Sequence, residues 1–529
     1  MRSFAMICLC SLATNAQTPK SEEPSTLRGS VRNSATGGPV SKAAFTLVPL
    51  AAPDDWLSRY HTTSGASGAF EFGNVLPGKY RLRISRTGFV AAEYGARRTQ
   101  MAGTVLDLTK AIKDLDVRIT PHGVIAGRVL DAEGDPIESA QVHLLRSRYV
   151  NGKKVLAIAP QPSNGAQTND LGEYRWAGLT PGRYYLHISH VFGFFTAAEE
   201  YVPIYYPDSL ESTGALAVEV TPGASVRVGD MVLRKAHLAT VKGRVVVEVA
   251  GAHGIPTVRL HRRIGHDNSG ASSWRDHAAK VNAAGEFEAR AVPPGSYDAS
   301  AEVAVEDRGH VGTVPVNVAG NVEGVVITIA KPISLTGHVR VEGETAMVWK
   351  VPQLLVERHG REEMHRLEAD RSFRIEHLQR DQYRIAATGL PDGFYTKSVS
   401  ADGMDITYAG LDLKAGVPQQ LEVVVSPKAG VIFGHVTGKP ASGATVVLVP
   451  KEKSRRMLYR ETTSNEQGLF AFQSVVPGDY QVYAWEDVES TAWLDPGFLK
   501  AFEEKGVPVA VAESGKVPVD VAVIPAEPR

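Results

Sequence analysis

Hydrophobic and polar residues alternate in short runs along most of the chain. In the run YRLRI, Tyr80, Leu82 and Ile84 occupy every second position, and Arg81 and Arg83 lie between them. This period of two is that of a β-strand with one buried face and one solvent face. The runs RYYLHIS and GDYQVYA repeat the pattern, which predicts a chain built from many short strands.

One phrase of this pattern occurs in five copies. Its last aromatic position is a tyrosine in each copy: Tyr80, Tyr184, Tyr297, Tyr383 and Tyr480. Twelve residues earlier stands a glycine in four copies, and two positions after it comes an aromatic residue in all five: Phe70, Tyr174, Phe287, Phe373 and Phe470. Because repetition within one chain indicates a repeated structural unit, we interpret the phrase as architecture rather than as a site.

A Pro-Gly pair, as in Pro77-Gly78, separates two strand-like runs in four of the copies. Proline presets φ at the first central position of a turn, and glycine allows a positive φ at the second. The pair therefore predicts a type II turn within a hairpin. The fourth copy has Arg380 and Asp381 at these positions, and we expect its turn to differ.

A second repeated phrase precedes each copy and predicts a first strand: LRGSV, IAGRV, VKGRV, LTGHV and IFGHV. Units of about a hundred residues with around seven short strands fit an antiparallel β-sandwich of immunoglobulin-like outline. In the last unit, Asp495, Pro496 and Gly506 predict a short helix near residues 496–505. We refer to the predicted domains as units one to five; they cover residues 24–120, 121–236, 237–332, 333–428 and 429–529.

The patterns Gly-x-Val, Gly-x-Pro-Val-x-x-Ala-x-Val, Gly-x-Phe and Leu-x-Pro-Gly-x-Tyr resemble the carboxypeptidase regulatory-like domain, which is grouped with Cna B-type and carbohydrate-binding-like folds. The resemblance is sharpest in units one, two and five. It implies a prealbumin-like sandwich, so the predicted fold class is all-β: a tandem array of about five immunoglobulin-like (prealbumin-like, Greek-key) domains. The same sandwich serves as spacer, adhesive module, sugar binder and accessory domain of enzymes, so it does not fix a function.

Composition and the first residues narrow the setting. The 57 basic and 58 acidic side chains balance, which argues against nucleic acid as a partner. Residues 1–16 have Arg2, an apolar run and small residues up to Ala16, as in a secretory signal peptide. Both cysteines, Cys8 and Cys10, lie in this segment. Export without disulfides indicates a bacterial secreted, periplasmic or cell-surface protein, and no later segment is apolar for the length that a membrane span requires.

Unit two contains the best candidates for contact with a ligand. The segment HVFGFFTAAEEYVPIYYPDS is longer than its counterparts in the other units and contains Phe194, Phe195, Tyr201, Tyr205 and Tyr206. Exposed aromatic rings can stack on sugars or peptide side chains. An aromatic lid that closes the end of the sandwich explains the same residues, and we favour that interpretation. A loop of unit three adds one more candidate, Trp274.

Other chemistries have weaker support. His359 with Glu362, and His365 with Glu368, match the H-x-x-E spacing of a zinc carboxypeptidase, but they fall between predicted strands, and we interpret the segment as a charged loop or edge strand. Asn169 and Asn465 lie near other oxygen ligands and before a glycine, so calcium is one interpretation and an Asn that bonds its own backbone is the favoured one. Other enzyme signatures are absent: the sequence has no H-E-x-x-H, no G-x-S-x-G, no phosphate loop and no C-x-x-C pair.

We therefore expect no catalysis and no cofactor. The predicted function is a binding or structural array, a rod of adhesion or scaffold modules at the cell envelope that contacts a polysaccharide or an envelope protein. The alternatives are a carbohydrate-binding protein that uses the aromatic residues of unit two, or an accessory chain of an envelope hydrolase or transporter.

Overall fold

The computed structural model describes residues 24–96, 103–159, 166–190, 199–262, 277–305, 308–343, 349, 353–358 and 361–526. Residues 1–16 lie outside the described residues. Within the described ranges, β-strands dominate, and buried apolar side chains form a separate cluster in each of the five units. The all-β prediction is confirmed.

The strands of units one and two begin and end as follows. In unit one they are β1 Ser25–Asn33, β2 Ala44–Pro49, β3 Tyr60–Thr63, β4 Ala69–Val75, β5 Lys79–Ser85, β6 Ala92–Glu93, β7 Leu106–Asp107 and β8 Ile112–Ile119. In unit two they are β9 Gly123–Leu130, β10 Gln141–Val150, β11 Lys153–Ile158, β12 Ala166–Gln167, β13 Glu173–Leu179, β14 Gly182–Ser189, β15 Glu199–Tyr201, β16 Ile204–Tyr205, β17 Val218–Val220, β18 Ser225–Arg227, β19 Met231–Val232 and β20 Lys235–His237.

Units three to five continue the series. Unit three has β21 Ala239–Val247, β22 His253–Arg262, β23 His277–Lys280, β24 Glu286–Val292, β25 Gly295–Val305, β26 Arg308–Val318 and β27 Val322–Ile329. Unit four has β28 Ile333–Val341, β29 Gln353–Arg358, β30 Arg361–Arg366, β31 Ser372–Leu378, β32 Gln382–Thr388, β33 Tyr395–Ala401, β34 Met404–Asp405, β35 Leu411–Asp412 and β36 Leu421–Ser426. Unit five has β37 Gly430–Thr437, β38 Thr445–Pro450, β39 Arg460–Thr463, β40 Leu469–Val475, β41 Gly478–Trp485, β42 Val507–Val511 and β43 Lys516–Ile524, with the helix α1 at Pro496–Lys500.

Short 3-10 turns complete the regular structure of the described ranges. They lie at Trp56–Ser58, Ser212–Gly214, Arg456–Leu458, Ala492–Leu494 and Glu503–Lys505. Helix α1 begins where the sequence predicts: the Asp495 carboxylate accepts a hydrogen bond from the Gly497 N–H at 2.8 Å, and Pro496 is its first residue. It ends at Lys500, before the predicted end near residue 505, and a 3-10 turn at Glu503–Lys505 follows.

Units one to four pack two main sheets against each other, and in unit five β43 pairs with both β37 and β41, so that the strands join into one continuous sheet. In the first sheet, the first strand of the unit lies between the strand of the Gly-x-aromatic phrase and the last strand of that sheet, in the orders β4-β1-β8, β13-β9-β18, β24-β21-β27, β31-β28-β36 and β40-β37-β43. In unit two this last strand is interrupted, and β19 continues it along β9. The second sheet holds the intervening strands, as in β3-β2-β5-β6 of unit one. The first and last strands pair in parallel in all five units. The prediction of purely antiparallel sheets is wrong at this pair, because the chain crosses from the other sheet before it returns as the last strand.

The Pro-Gly pair does not form the predicted hairpin. The strands on its two sides belong to different sheets: β4 pairs with β1, whereas β5 pairs with β2. Gly182, Gly295 and Gly478 have φ of 141°, 155° and 156°, far from the value of about 80° that a type II turn requires. The pair is therefore a corner between the two sheets, and the prediction of a type II turn is wrong.

The repeated tyrosine closes this corner. The hydroxyls of Tyr80, Tyr184, Tyr297 and Tyr480 donate to the carbonyl four residues earlier, at 2.7–2.8 Å. In unit four the bond reverses: the Gln379 N–H donates to the Tyr383 hydroxyl at 2.8 Å. The five rings are buried, so each tyrosine fills the core and ties the corner that carries the chain between the sheets.

The glycine of the first strand and the aromatic residue of the later phrase are direct partners. Gly29 lies opposite Phe70, and the same register joins the pairs Gly127 and Tyr174, Gly243 and Phe287, Gly337 and Phe373, and Gly434 and Phe470. A Cβ on Gly29 would approach the Phe70 ring to 2.8 Å. The glycine thus leaves the space into which the ring packs.

Candidate interaction surfaces

The predicted aromatic segment of unit two divides into buried and undescribed parts. Phe194 and Phe195 lie outside the described residues. Tyr201, at 6% exposed, belongs to the core of unit two, where its ring lies 5.5 Å from the His190 ring and 5.4 Å from the Lys235 ammonium. Tyr206 is partly buried against the same core. In this conformation the Tyr201 ring is closed to a sugar face.

Tyr205 lies on the outer face of the second sheet of unit two. Its ring is 4.8 Å from the His187 ring on β14, which is 6.5 Å from the His143 ring on β10. Burial lowers the pKa of His143 to about 4 and that of His187 to about 3, and it raises the pKa of Tyr205 to about 12. The positive charge of Arg262 acts on both His187 and Tyr205, so unit three borders this face. The imidazoles and the phenol are uncharged near neutral pH, which suits a packed contact between units.

Trp274, the candidate of unit three, also lies outside the described residues. The nearby strand β23 begins at His277, whose ring is 6.2 Å from the Tyr297 ring. Contact of Trp274 with a ligand therefore stays a prediction.

A second outer face lies in unit five, where the predicted short helix packs on the sandwich. Val447, Val449, Tyr483 and Trp485 lie on the outer side of β38 and β41 and form a buried cluster with residues of the segment 488–505, which we call the insert. The Tyr483 and Trp485 rings stack at 5.2 Å, and Phe502 of the insert lies 5.8 Å from Trp485. Strand β41 is apolar on both faces, in the run YQVYAW. That pattern is the signal by which a covering segment could have been predicted.

The insert of unit five and the 3-10 turn Arg456–Leu458 both contact unit two. Residues 149–152 are the end of β10 and the two-residue turn into β11, and we call them the hairpin tip. The Tyr149 ring lies 5.9 Å from the Phe498 ring, the Tyr149 N–H donates to the Glu489 carboxylate at 2.9 Å, and the Arg456 guanidinium donates to the Asn151 carbonyl at 2.7 Å. Units two and five are therefore neighbours in space, and the prediction of a rod in which each unit contacts only the next is wrong.

The two candidate metal motifs have structural roles in the described residues. Asn169 accepts hydrogen bonds from the N–H groups of Leu171 and Glu173, at 3.1 and 2.8 Å, and Asn465 makes the equivalent pair. The prediction of an asparagine that bonds its own backbone is confirmed. The segment with His365 and Glu362 forms β30, at the edge of its sheet, as expected for an edge strand. His359 lies outside the described residues, and within them no group of three or more His, Cys, Asp or Glu side chains could hold a metal ion.

The fold defines the chain as a tandem β-sandwich protein. Residues 26–120 and 124–234 each match the family model of the carboxypeptidase regulatory-like domain, and residues 429–490 match that of "BOS complex subunit NOMO1-like, second beta sandwich domain". Units one and two therefore each contain a carboxypeptidase regulatory-like domain. No curated protein matches it.

Solved structures with similar sandwiches include pilins. The minor pilin GBS52 of Streptococcus agalactiae is 15% identical, with 40% of this chain and 96% of that one covered and a TM-score of 0.21. The shaft pilin SpaA of Lactobacillus rhamnosus GG is 12% identical, with 41% of this chain and 99% of that one covered and a TM-score of 0.21. The TIE protein of Bacillus anthracis is 12% identical over 76% and 73%, with a TM-score of 0.16. Similarity at these TM-scores carries no argument about function.

Proposed function

We propose that this chain is a non-catalytic array of sandwich modules that acts outside the bacterial cytoplasm as a scaffold or binding protein, with a protein of the envelope as its partner. The observation that carries the proposal is the role of the repeated motif. Its tyrosines and other aromatic residues pack in the five cores, and its glycines make room for them, so the motif forms the cores and the corners between sheets. Because the repeated motif has a structural role, any binding surface lies on the loops and the outer faces of the sheets.

Contacts at the junctions support a fixed arrangement. Between units four and five, the Lys428 ammonium lies 2.9 Å from the Glu513 carboxylate, and the Arg455 guanidinium lies 4.3 Å from the centre of the Tyr408 ring. Between units three and four, the Gln379 amide donates to the Val311 carbonyl at 3.3 Å. An array with such junctions presents its surfaces at set distances. The family model matched by residues 429–490 is named for a subunit of a complex, which supports a protein partner.

A location outside the cytoplasm is supported by residues 1–16, which have the pattern of a signal peptide. In the described ranges, no helix combines the length and apolar character that crossing a membrane requires. A fusion of the full chain to alkaline phosphatase, which is active only after export, tests the location. We expect activity from the full-length fusion and none when residues 1–16 are removed. Equal activity of the two fusions would contradict export by this segment.

Sugar binding is tested by a glycan array and by sedimentation with cell-wall polysaccharide. Because Tyr201 and Tyr205 are buried, the scaffold proposal predicts that the purified chain retains no sugar. Retention by the wild type, with loss in a folded Tyr206→Ala variant, would overturn this prediction and favour the carbohydrate-binding alternative. The matched control is Tyr206→Phe, which keeps the aromatic ring.

A further inference from the structure

We propose that the insert of unit five is a docking surface for the tip of a β-hairpin, and that its occupant is the hairpin tip of unit two of the same chain. The contact joins residues 340 positions apart and skips units three and four. It goes beyond the proposed function, because an array of scaffold modules needs no such closure.

The shape of the hairpin tip suits the contact. Asn151 and Gly152 have φ of 48° and 71°, and Val150 pairs with Lys153, as in a two-residue type I′ turn. A Cβ on Gly152 would lie 2.6 Å from the Cβ and the carbonyl oxygen of Leu494. Glycine is therefore favoured twice at this position, by the backbone of the turn and by the close approach of the insert.

The polar bonds of the contact satisfy main-chain groups of the hairpin that have no hydrogen-bond partner in the sheet. Strand β14 pairs with β10 only as far as Leu145, so the N–H groups that follow on that side of β10 have no strand partner. Glu489 accepts a bond from the Tyr149 N–H, and Arg456 donates to the Asn151 carbonyl. Bonds between charged side chains and main-chain groups are stronger than neutral ones.

The aromatic side chains of the tip and the insert pack together. Phe498, which the Tyr149 ring meets edge-on, packs against Phe502 at 5.0 Å, so the contact extends the aromatic cluster of unit five. Burial, followed by the charges of Asp495 and Glu489, raises the pKa of Tyr149. The tip continues into Lys153 and Lys154, which are exposed.

Disulfide trapping tests the proposal in the full chain with Cys8 and Cys10 replaced by serine. The Gly152→Cys, Leu494→Cys pair needs a shift of about 1 Å to reach the Cβ separation of a disulfide. We expect an intramolecular disulfide in oxidised glutathione that forms at least about tenfold faster than in the control pair Gly152→Cys, Leu57→Cys. Leu57 is exposed on unit one. Equal rates, or covalent dimers in place of a linked monomer, would overturn the intramolecular contact.

A second pair avoids the strained position of Gly152. In Lys153→Cys, Leu494→Cys, a short bismaleimide is expected to link the two thiols within one chain. Adding Tyr149→Asp, which places a carboxylate beside Glu489 and Asp495, should reduce this linking at least about tenfold, whereas Tyr149→Phe should leave it unchanged. Linking that is insensitive to Tyr149→Asp would show that the tip does not dock on the insert.

Discussion

At the scale of single residues, the glycine of the first strand and the aromatic residue opposite it act as one unit of packing. The pairs occur in the same register in all five units. In unit one, the space that Gly29 leaves is bounded by the Phe70 ring and by the main chain at Leu115. A backbone neighbour cannot move aside as a flexible side chain can, so the position tolerates no side chain without a shift between strands.

We predict that Gly29→Ala lowers the free energy of unfolding of unit one by about 2–3 kcal/mol, the cost of overpacking a core. The matched control is Gly73→Ala in β4 of the same sheet, where no atom lies within 4 Å of an added Cβ, and we expect a change below about 0.5 kcal/mol. Hydrogen exchange of the β1 and β4 amides measures both. Equal effects of the two substitutions would contradict the packing argument.

The histidines between units two and three predict a dependence on pH. Their pKa values, about 4 for His143 and about 3 for His187, lie below the value of about 6.5 in an unfolded chain. Below pH 6.5 the unfolded chain therefore binds protons that the folded chain does not. The stability that this gives unit two is complete above pH 6.5 and is lost as the pH falls towards 4, by about 2 kcal/mol per histidine at pH 5.

Urea unfolding of unit two at pH 7 and pH 5, followed by hydrogen exchange of β10 and β14, measures this loss. We expect His187→Gln to reduce the difference between the two pH values. His61→Gln, on the exposed edge strand β3 of unit one, should leave it unchanged. A difference that persists in full without His143 and His187 would assign the effect to other groups.

At the scale of the elements, the corner between the sheets depends on the tyrosine hydroxyl. In unit three, the hydroxyl of the buried Tyr297 donates to the Pro293 carbonyl at 2.8 Å. We predict that Tyr297→Phe costs about 1 kcal/mol through this bond, and that Tyr297→Ala costs about 3–5 kcal/mol through the lost ring. Exchange of the β25 amides measures both changes. A Phe variant as unstable as the Ala variant would show that the ring adds nothing.

The alternation of residues predicts which side of a strand is buried, and the buried Tyr80, Leu82 and Ile84 agree with it. It does not predict which strand lies alongside, because a period of two is the same in a hairpin and in a corner between sheets. The Pro-Gly pair was misinterpreted for that reason. The parallel pairing of β1 with β8 and the match of Gly29 to Phe70 depend on contacts that are distant in sequence.

The candidate surfaces show the same division. The aromatic residues of a long segment predicted a candidate ligand contact in unit two. The burial of Tyr201 and Tyr205 follows from the tertiary fold and not from residue type. In unit five, the two apolar faces of β41 could have predicted a cover, whereas its contact with unit two has no local signal. Tyr149 and Phe498 meet only because the intervening units bring them together.

At the scale of the whole molecule, we infer that the five sandwiches fold back so that units two and five meet. The contact of the hairpin tip with the insert and the bonds at the junctions carry this claim. A straight rod of five domains, each with a radius of gyration of about 13 Å, would have a radius of gyration of about 50 Å.

Small-angle X-ray scattering of the chain from residue 17 onward tests the claim most directly, with Tyr149→Phe as the control and Tyr149→Asp as the variant that breaks the contact. The folded-back array predicts a radius of gyration below about 40 Å for the wild type and for Tyr149→Phe, and a rise towards the rod value for Tyr149→Asp. A wild-type value of about 50 Å that Tyr149→Asp does not change would contradict it.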